Sequence, residues 1–204
     1  MRQKCGCVTK LRLTQVQLTS RRERPLCCGI LVPDMTTYIV LLRAVNVGGT
    51  GKLPMADLKA LCAELGFGQI ETYIASGNVV FDCDMPAARV QAQLEKRLLA
   101  YAGKTVGVFV RTASEMRTIL KRNPFSDREP ERTYSFFLNE KPPADALDEV
   151  RGRDGEELRL GLREIYVYYP TGMGKSKLQI PAAKLGTSRN LNTVAKLVEM
   201  SSRS

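Results

Sequence analysis

The sequence predicts an α+β protein that begins with a βαββαβ unit and continues into a second, smaller α+β subdomain. Three observations predict this fold class. Apolar runs of strand length alternate with two stretches in which apolar residues recur every three to four positions. A proline precedes each of these helical stretches. A Ser-Gly pair joins the second and third strands, as in a hairpin. This order is that of the ferredoxin-like unit, an antiparallel four-stranded sheet with both helices on one face.

The elements of the first half follow from local patterns. The predicted strands span residues 38–43, 71–75, 78–82 and 106–111. Pro54 and Pro86 lie at the starts of the two predicted helices, and Gly66 and Gly68 end the first. The sheet face opposite the helices is left for a partner or for a second layer.

The second half has weaker signals. Ser114 is predicted to cap a short helix over 115–121, which Asn123-Pro124 ends. Further strands are predicted over 133–138, 157–160 and 164–169, and helical segments over 144–150, 181–185 and 191–200. We expect subdomains over 35–122 and 123–204 that form one compact unit.

Residues 1–34 are expected to be a disordered extension, or translated sequence upstream of a functional start at Met35. They lack sustained periodicity and the apolar core of a secretory signal. They contain seven Lys/Arg and two acidic residues, so they carry +5 of the net charge of +10, and the remainder is only mildly basic. Four of the six cysteines also lie here. Their spacing is not that of a zinc site and the chain has no His, so we expect no metal.

Composition limits the possible functions. The chain is 44% hydrophobic and 25% charged, which is typical of an ordinary soluble globular protein. No run approaches the roughly 18 apolar residues of a membrane span, so no membrane partner is expected. The absence of His excludes imidazole acid–base chemistry.

Four short junctions rich in Gly, Asn, Ser and Lys stand out between the predicted elements. They span residues 43–49, 76–78, 172–177 and 187–193. Each supplies amides, hydroxyls or positive charge and almost no carboxylate, which suits an anion. The third resembles part of a phosphate loop but lacks the spacing of a Walker A motif, so ATP hydrolysis is not expected. The predicted ligand-binding residues are Arg43, Asn46, Gly48, Gly49, Ser76, Asn78, Gly174, Lys175, Ser176, Lys177, Arg189, Asn190 and Asn192.

Each junction also has a purely structural interpretation. The glycines serve connecting turns, and Ser and Asn serve turns or helix caps. In the fourth junction, Thr187 or Ser188 could cap the last helix, which would place Arg189 in its first turn, where a cation is unfavourable unless it faces an anion. Ser176 between two lysines is the only arrangement that suggests a nucleophile with a lysine base.

Five ordered motifs span residues 39–49, 52–55, 72–81, 172–177 and 187–193. Together they resemble a known family, the mainly bacterial domain of unknown function 1697, over about residues 35–200. It implies a ferredoxin-like α+β fold and a cytosolic bacterial protein, and it implies no activity. Family members commonly have Trp where Leu191 stands, which argues against aromatic stacking at this position.

Three functions remain open from the sequence. The first is binding of an anionic ligand, a nucleotide or a nucleic acid, by junctions that converge at one end of the sheet. The second is an enzyme acting on a phosphorylated or carboxylated small molecule, which requires a pocket of at least about 300 Å³ at the junctions. The third is a structural or interaction protein. The sequence leaves the cofactor, the catalytic residues and the oligomeric state unknown.

Overall fold

The first half folds into a four-stranded antiparallel sheet that carries two helices. The computed structural model describes residues 35–46 and 52–203, which belong to one compact unit over 33–204. The elements are β1 (Thr36–Arg43), α1 (Met55–Glu64), β2 (Gly68–Tyr73), β3 (Asn78–Cys83), α2 (Ala87–Ala102) and β4 (Gly107–Thr112). The predictions for residues 1–34, and those for Gly48 and Gly49, lie outside the described residues.

The strand order of this sheet is β2-β3-β1-β4, with every neighbouring pair antiparallel. This order confirms the predicted ferredoxin-like unit. Alternate residues of the central strands, such as Val40 and Phe81, face α1 and α2 and pack with Leu58 and Leu94 in the first core cluster. Both helices therefore lie on one face, as the sequence predicts.

The second half repeats the same strand arrangement, with one helix before and one helix after its four strands. Its elements are α3 (Ala113–Lys121), β5 (Thr133–Phe137), β6 (Glu157–Leu160), β7 (Glu164–Tyr168), β8 (Thr187–Asn190) and α4 (Leu191–Met200). The order of its sheet is β6-β7-β5-β8. Numbered by their order along the chain, the four strands of each half lie side by side in the order second, third, first, fourth. The two halves therefore share one topology.

Helices α3 and α4 lie between the two sheets. The inner core combines Ile39 and Leu41 of the first sheet with Met116 of α3, Val194 of α4 and Phe137 of the second sheet. Successive side chains of β1 point to opposite faces of the sheet, so the remaining side chains of β1 face α1 and α2. Helices α3 and α4, backed by the second sheet, therefore cover the face of the first sheet that the sequence left open.

The structure corrects four local predictions. Residues 144–149 form turns instead of a helix, and the helix over 181–185 is only a 3₁₀ turn over Pro181–Ala183. Helix α3 begins two residues earlier than expected because Thr112, not Ser114, caps it in a capping box with Glu115. Residues 187–190 form strand β8, so Arg189 lies in a strand, and Asn190 caps α4.

Candidate functional site

The second and fourth junctions meet in a buried hydrogen-bond cluster around Arg189. Its side chain lies on the inner face of the second sheet, because it pairs in register with the buried Ser135 of β5. The guanidinium donates from Nε to Asn78 Oδ1 at 2.6 Å and from Nη2 to the carbonyls of Leu42 and Ser76 at 2.9 and 2.8 Å. Arg189 therefore joins β8 to the β2–β3 hairpin and to the end of β1.

The Arg189 charge is compensated by dipoles alone. No described carboxylate lies within salt-bridge distance of it, and Nη1 donates to Thr187 Oγ1 and to the Ser188 carbonyl, both at 2.8 Å. Burial lowers the pKa of Arg189 to about 10, so the side chain stays protonated at neutral pH. All three guanidinium nitrogens are already engaged by the protein.

Arg111 makes the reciprocal connection from the first half to the second. It occupies the position in β4 that Arg189 occupies in β8, two residues before the following helix. Its Nη2 donates to the carbonyls of Leu138 and Arg163 at 2.5 and 3.0 Å. An arginine of each half thus donates hydrogen bonds to the other half. It reaches the end of that half's first strand and the turn between its second and third strands. Sequence reasoning missed Arg111 because an arginine in an apolar strand is usually solvent-exposed.

The other predicted residues of these junctions also serve the fold. Asn78 is fully buried and donates to the Tyr73 carbonyl and to Ser76 Oγ at 2.9 and 3.0 Å. Asn190 accepts from the Thr193 amide as the cap of α4, whereas Asn192 is exposed. Arg43 donates from Nη2 to the Lys184 carbonyl at 2.8 Å.

The third junction lies on the opposite face of the second sheet. Ser176 lines a cavity of about 190 Å³ with Phe136 and Tyr169, which belong to the outer face. Its Oγ donates to Glu156 Oε1 and accepts from the Leu178 amide, so it is not paired with a lysine. Gly174, Lys175 and Lys177 are exposed. The described residues of the four junctions therefore do not form one cradle.

The ionisation of Glu156 makes it a poor base for Ser176. Burial raises its pKa, but hydrogen bonds from Ser176 Oγ and from the Asp154 amide outweigh burial, and the net pKa is lowered. A carboxylate that holds its charge this firmly does not readily accept the hydroxyl proton. The pair instead anchors the loop over 172–177.

A cavity of about 320 Å³ opens beside the first junction, and we call it the lysine cavity. Its walls come from the end of β1, the residues before α1, the end of α2 and the residues before β4. They are Ala44, Val45, Lys52, Leu53, Leu98, Tyr101, Ala102, Lys104 and Val106. Val45, Leu53, Leu98 and Val106 are buried and form the apolar part, whereas both lysines are exposed. Neither lysine forms a salt bridge with another described residue.

One wall residue of the lysine cavity, Ala44, has strained backbone. Its φ is 54°, in the left-handed region that residues other than Gly, Asn and Asp rarely adopt, and the nearby Asn46 has φ of 57°, which Asn tolerates. The Asn46 side chain holds this region together: Nδ2 donates to the carbonyls of Leu53 and Ala75 at 2.8 Å, and Oδ1 accepts from the Leu53 amide at 2.7 Å. Strain of this kind costs about 1–3 kcal/mol per residue and clusters at ligand sites.

The equivalent position in the second half holds a cavity of opposite charge. It has a volume of about 800 Å³, is walled by the residues after β5 and before β8, and we call it the acidic groove. Its charged side chains are Glu140, Lys141, Asp145, Asp148 and Glu149. The acidic groove does not suit an anion.

Four residues that line the lysine cavity were not predicted from the sequence to contact a ligand. They are Lys52, Leu53, Tyr101 and Lys104. Tyr101 and Lys104 are about 50 residues from the first junction in the chain, and only the packing of α2 and β4 brings them beside it. The weak signal available was Lys52 itself, directly after the glycine-rich segment.

Two structural absences bear on the chemistry. Within residues 35–46 and 52–203, no group of three or more His, Cys, Asp or Glu side chains could hold a metal ion. No helix in the described part of the chain has the length and apolar character to cross a membrane.

Comparison with known proteins identifies the family. A solved structure titled as that of the conserved bacterial protein SP0830 from Streptococcus pneumoniae is similar, with a TM-score of 0.64 and 25% sequence identity over 82% of this chain and 99% of that one. No curated protein matches the sequence. The family model described as "Protein of unknown function (DUF1697)" matches residues 35–166, more than half of the chain. The chain therefore belongs to this family of unknown function.

Proposed function

We propose that the protein binds a small anionic molecule with an apolar part in the lysine cavity. The observation that carries the proposal is the combination of an apolar cavity of about 320 Å³ with two lysines that lack a salt-bridge partner among the described residues. Ligand pockets typically have volumes of about 300–1,000 Å³, mostly apolar walls and a few charged groups that orient the ligand.

The surroundings of the cavity favour an anion over a cation. No carboxylate is among the described residues that line it, and Lys52 and Lys104 approach it from different segments of the chain. The described lining residues include no carboxylate and no imidazole, two of the commonest general bases, which favours binding over catalysis.

The proposal differs from a shared receptor built from all four junctions. It retains the first junction, whose residues Ala44 and Val45 line the cavity. Anion binding by Lys175 and Lys177 stays a separate prediction, because their exposed loop lies by the outer face of the second sheet. A cytoplasmic location, where phosphorylated and carboxylated metabolites are abundant, is part of the proposal.

Isothermal titration calorimetry with a panel of phosphorylated and carboxylated metabolites tests the proposal. We expect a saturable ligand whose Kd rises about 10-fold or more in the double variant Lys52→Ala/Lys104→Ala, because each charged hydrogen bond contributes about 1.5–3 kcal/mol. The matched control is Lys59→Ala/Lys121→Ala, which removes the same charge at two exposed helical positions away from the cavity. Lys175→Ala/Lys177→Ala tests the other loop in parallel.

Two results would contradict the proposal. One is that no anion in the panel binds. The other is an equal loss of affinity in the cavity variant and in the Lys59/Lys121 control, which would indicate a general effect of net charge.

A further inference from the structure

We infer that the ligand of the lysine cavity carries a planar ring next to its anionic group, as a mononucleotide does. This inference rests on the proposed binding function and adds the chemical class of the ligand. It is argued from Tyr101, the one aromatic side chain among the residues that line the cavity.

Tyr101 presents its ring in a fixed orientation. The residue lies in the last turn of α2 and is 43% exposed, although large aromatic side chains are usually well buried. Its hydroxyl donates a hydrogen bond to Asp57 Oδ2 in the first turn of α1. The ring is thus held at both ends, by the backbone of one helix and by a carboxylate of the other. A side chain fixed in this way loses little conformational entropy when a ligand packs against it.

The remaining walls complete a site suited to a flat group. Leu53, Leu98 and Val106 are buried aliphatic side chains that line the cavity together with Tyr101. A planar heterocycle gains both stacking on an aromatic ring and apolar contact on its other side. An aliphatic anion would gain only the apolar contact.

The lysines complement the negative end of such a ligand. Lys52 and Lys104 flank the same cavity and are exposed, so a phosphate can bind them while it stays partly hydrated. Asp57 does not line the cavity, and its carboxylate already accepts the Tyr101 hydroxyl. The size of the cavity, at the lower end of the range for small-molecule pockets, fits one ring and one phosphate better than a polymer.

Calorimetric titration of the full chain with four probes tests the inference. The probes are adenosine monophosphate, guanosine monophosphate, glycerol phosphate and inorganic phosphate. We expect at least one of the mononucleotides to bind about 10-fold or more tightly than glycerol phosphate, since stacking of one base on an aromatic side chain is worth about 1–3 kcal/mol. Tyr101→Leu should remove this preference, so that neither mononucleotide binds more tightly than glycerol phosphate.

Tyr101→Phe separates the ring from its hydroxyl. It keeps the aromatic face and loses the hydrogen bond to Asp57, so the preference for a mononucleotide should persist with at most a few-fold weaker binding. Circular dichroism confirms that both variants remain folded, which the exposure of Tyr101 favours.

The outcomes distinguish this inference from the proposed function. The protein could bind glycerol phosphate through Lys52 and Lys104 and show no preference for either mononucleotide. That result overturns the inference and leaves the proposed function standing. A preference that persists in Tyr101→Leu overturns the role of the ring. If none of the four probes binds, the inference is overturned. If no anion of the whole metabolite panel binds, the proposed function is overturned as well.

Discussion

Arg189→Ala should be among the most destabilising single substitutions in the protein. The side chain is 7% exposed and is the only described donor to Asn78 Oδ1 and to the Ser76 carbonyl. The Leu42 carbonyl would keep the weaker bond from Thr187 Oγ1 at 3.3 Å. Each buried acceptor left without a donor costs about 1–3 kcal/mol, and release of the desolvated guanidinium returns part of this cost. We therefore expect a loss of about 3 kcal/mol in the free energy of unfolding.

Urea unfolding followed by circular dichroism measures this loss. Arg203→Ala is the control, because it removes an exposed guanidinium that bonds only Glu199 and should cost less than about 1 kcal/mol. Arg189→Lys should give an intermediate loss, since one ammonium cannot reproduce the planar set of donors. A loss below about 1 kcal/mol in Arg189→Ala, similar to that in Arg203→Ala, would refute this account of the buried cluster. In that case the arginine would again become a candidate for ligand contact.

Two further predictions concern the hairpin turn and the third junction. Gly77→Ala should lower the free energy of unfolding by about 2 kcal/mol or more in the same urea assay. The φ of Gly77 is +79°, and an added Cβ would lie 2.5 Å from Val45 Cγ2. An unchanged unfolding midpoint would contradict this geometry. Glu156→Gln should destabilise the protein at neutral pH. Because the pKa of Glu156 is lowered on folding, its stabilisation is fully present above the ordinary value of 4.5 and is lost as the pH falls through the folded value. The difference between the thermal melts of variant and wild type should therefore shrink as the pH is lowered from neutral to below 4.5. A constant difference across this range would show that the charge of Glu156 is not what stabilises the loop.

The sequence predicts the first half of the fold better than the second. Pro54 and Pro86 mark the starts of α1 and α2, and apolar periodicity continues from each. Strand β8 has no such signal: its four residues are Thr-Ser-Arg-Asn, and its buried positions are Thr187 and Arg189. This strand is stabilised by pairing with β5 and by hydrogen bonds to residues more than 100 positions away, and neither leaves a local pattern.

The same distinction applies to the candidate site. The sequence identifies residue types that bind anions, but it does not distinguish polar groups that the fold has already engaged from those that remain available. Asn78 and Arg189 are engaged by each other, whereas Lys52 and Lys104 are not engaged by any described acidic group. The availability of a polar group depends on long-range packing, and it could be assigned only with the structure.

The repeated topology gives a reason to assign the lysine cavity to function rather than to folding. Arg111 and Arg189 occupy equivalent positions and make equivalent contacts, as expected for residues that the shared fold requires. The two cavities also occupy equivalent positions, yet one carries lysines and the other mainly carboxylates. Since one topology accommodates both signs of charge at this place, the fold itself requires neither. The charge of the lysine cavity is thus a property of this sequence that the topology does not impose, and the anionic ligand that we propose for Lys52 and Lys104 would account for it.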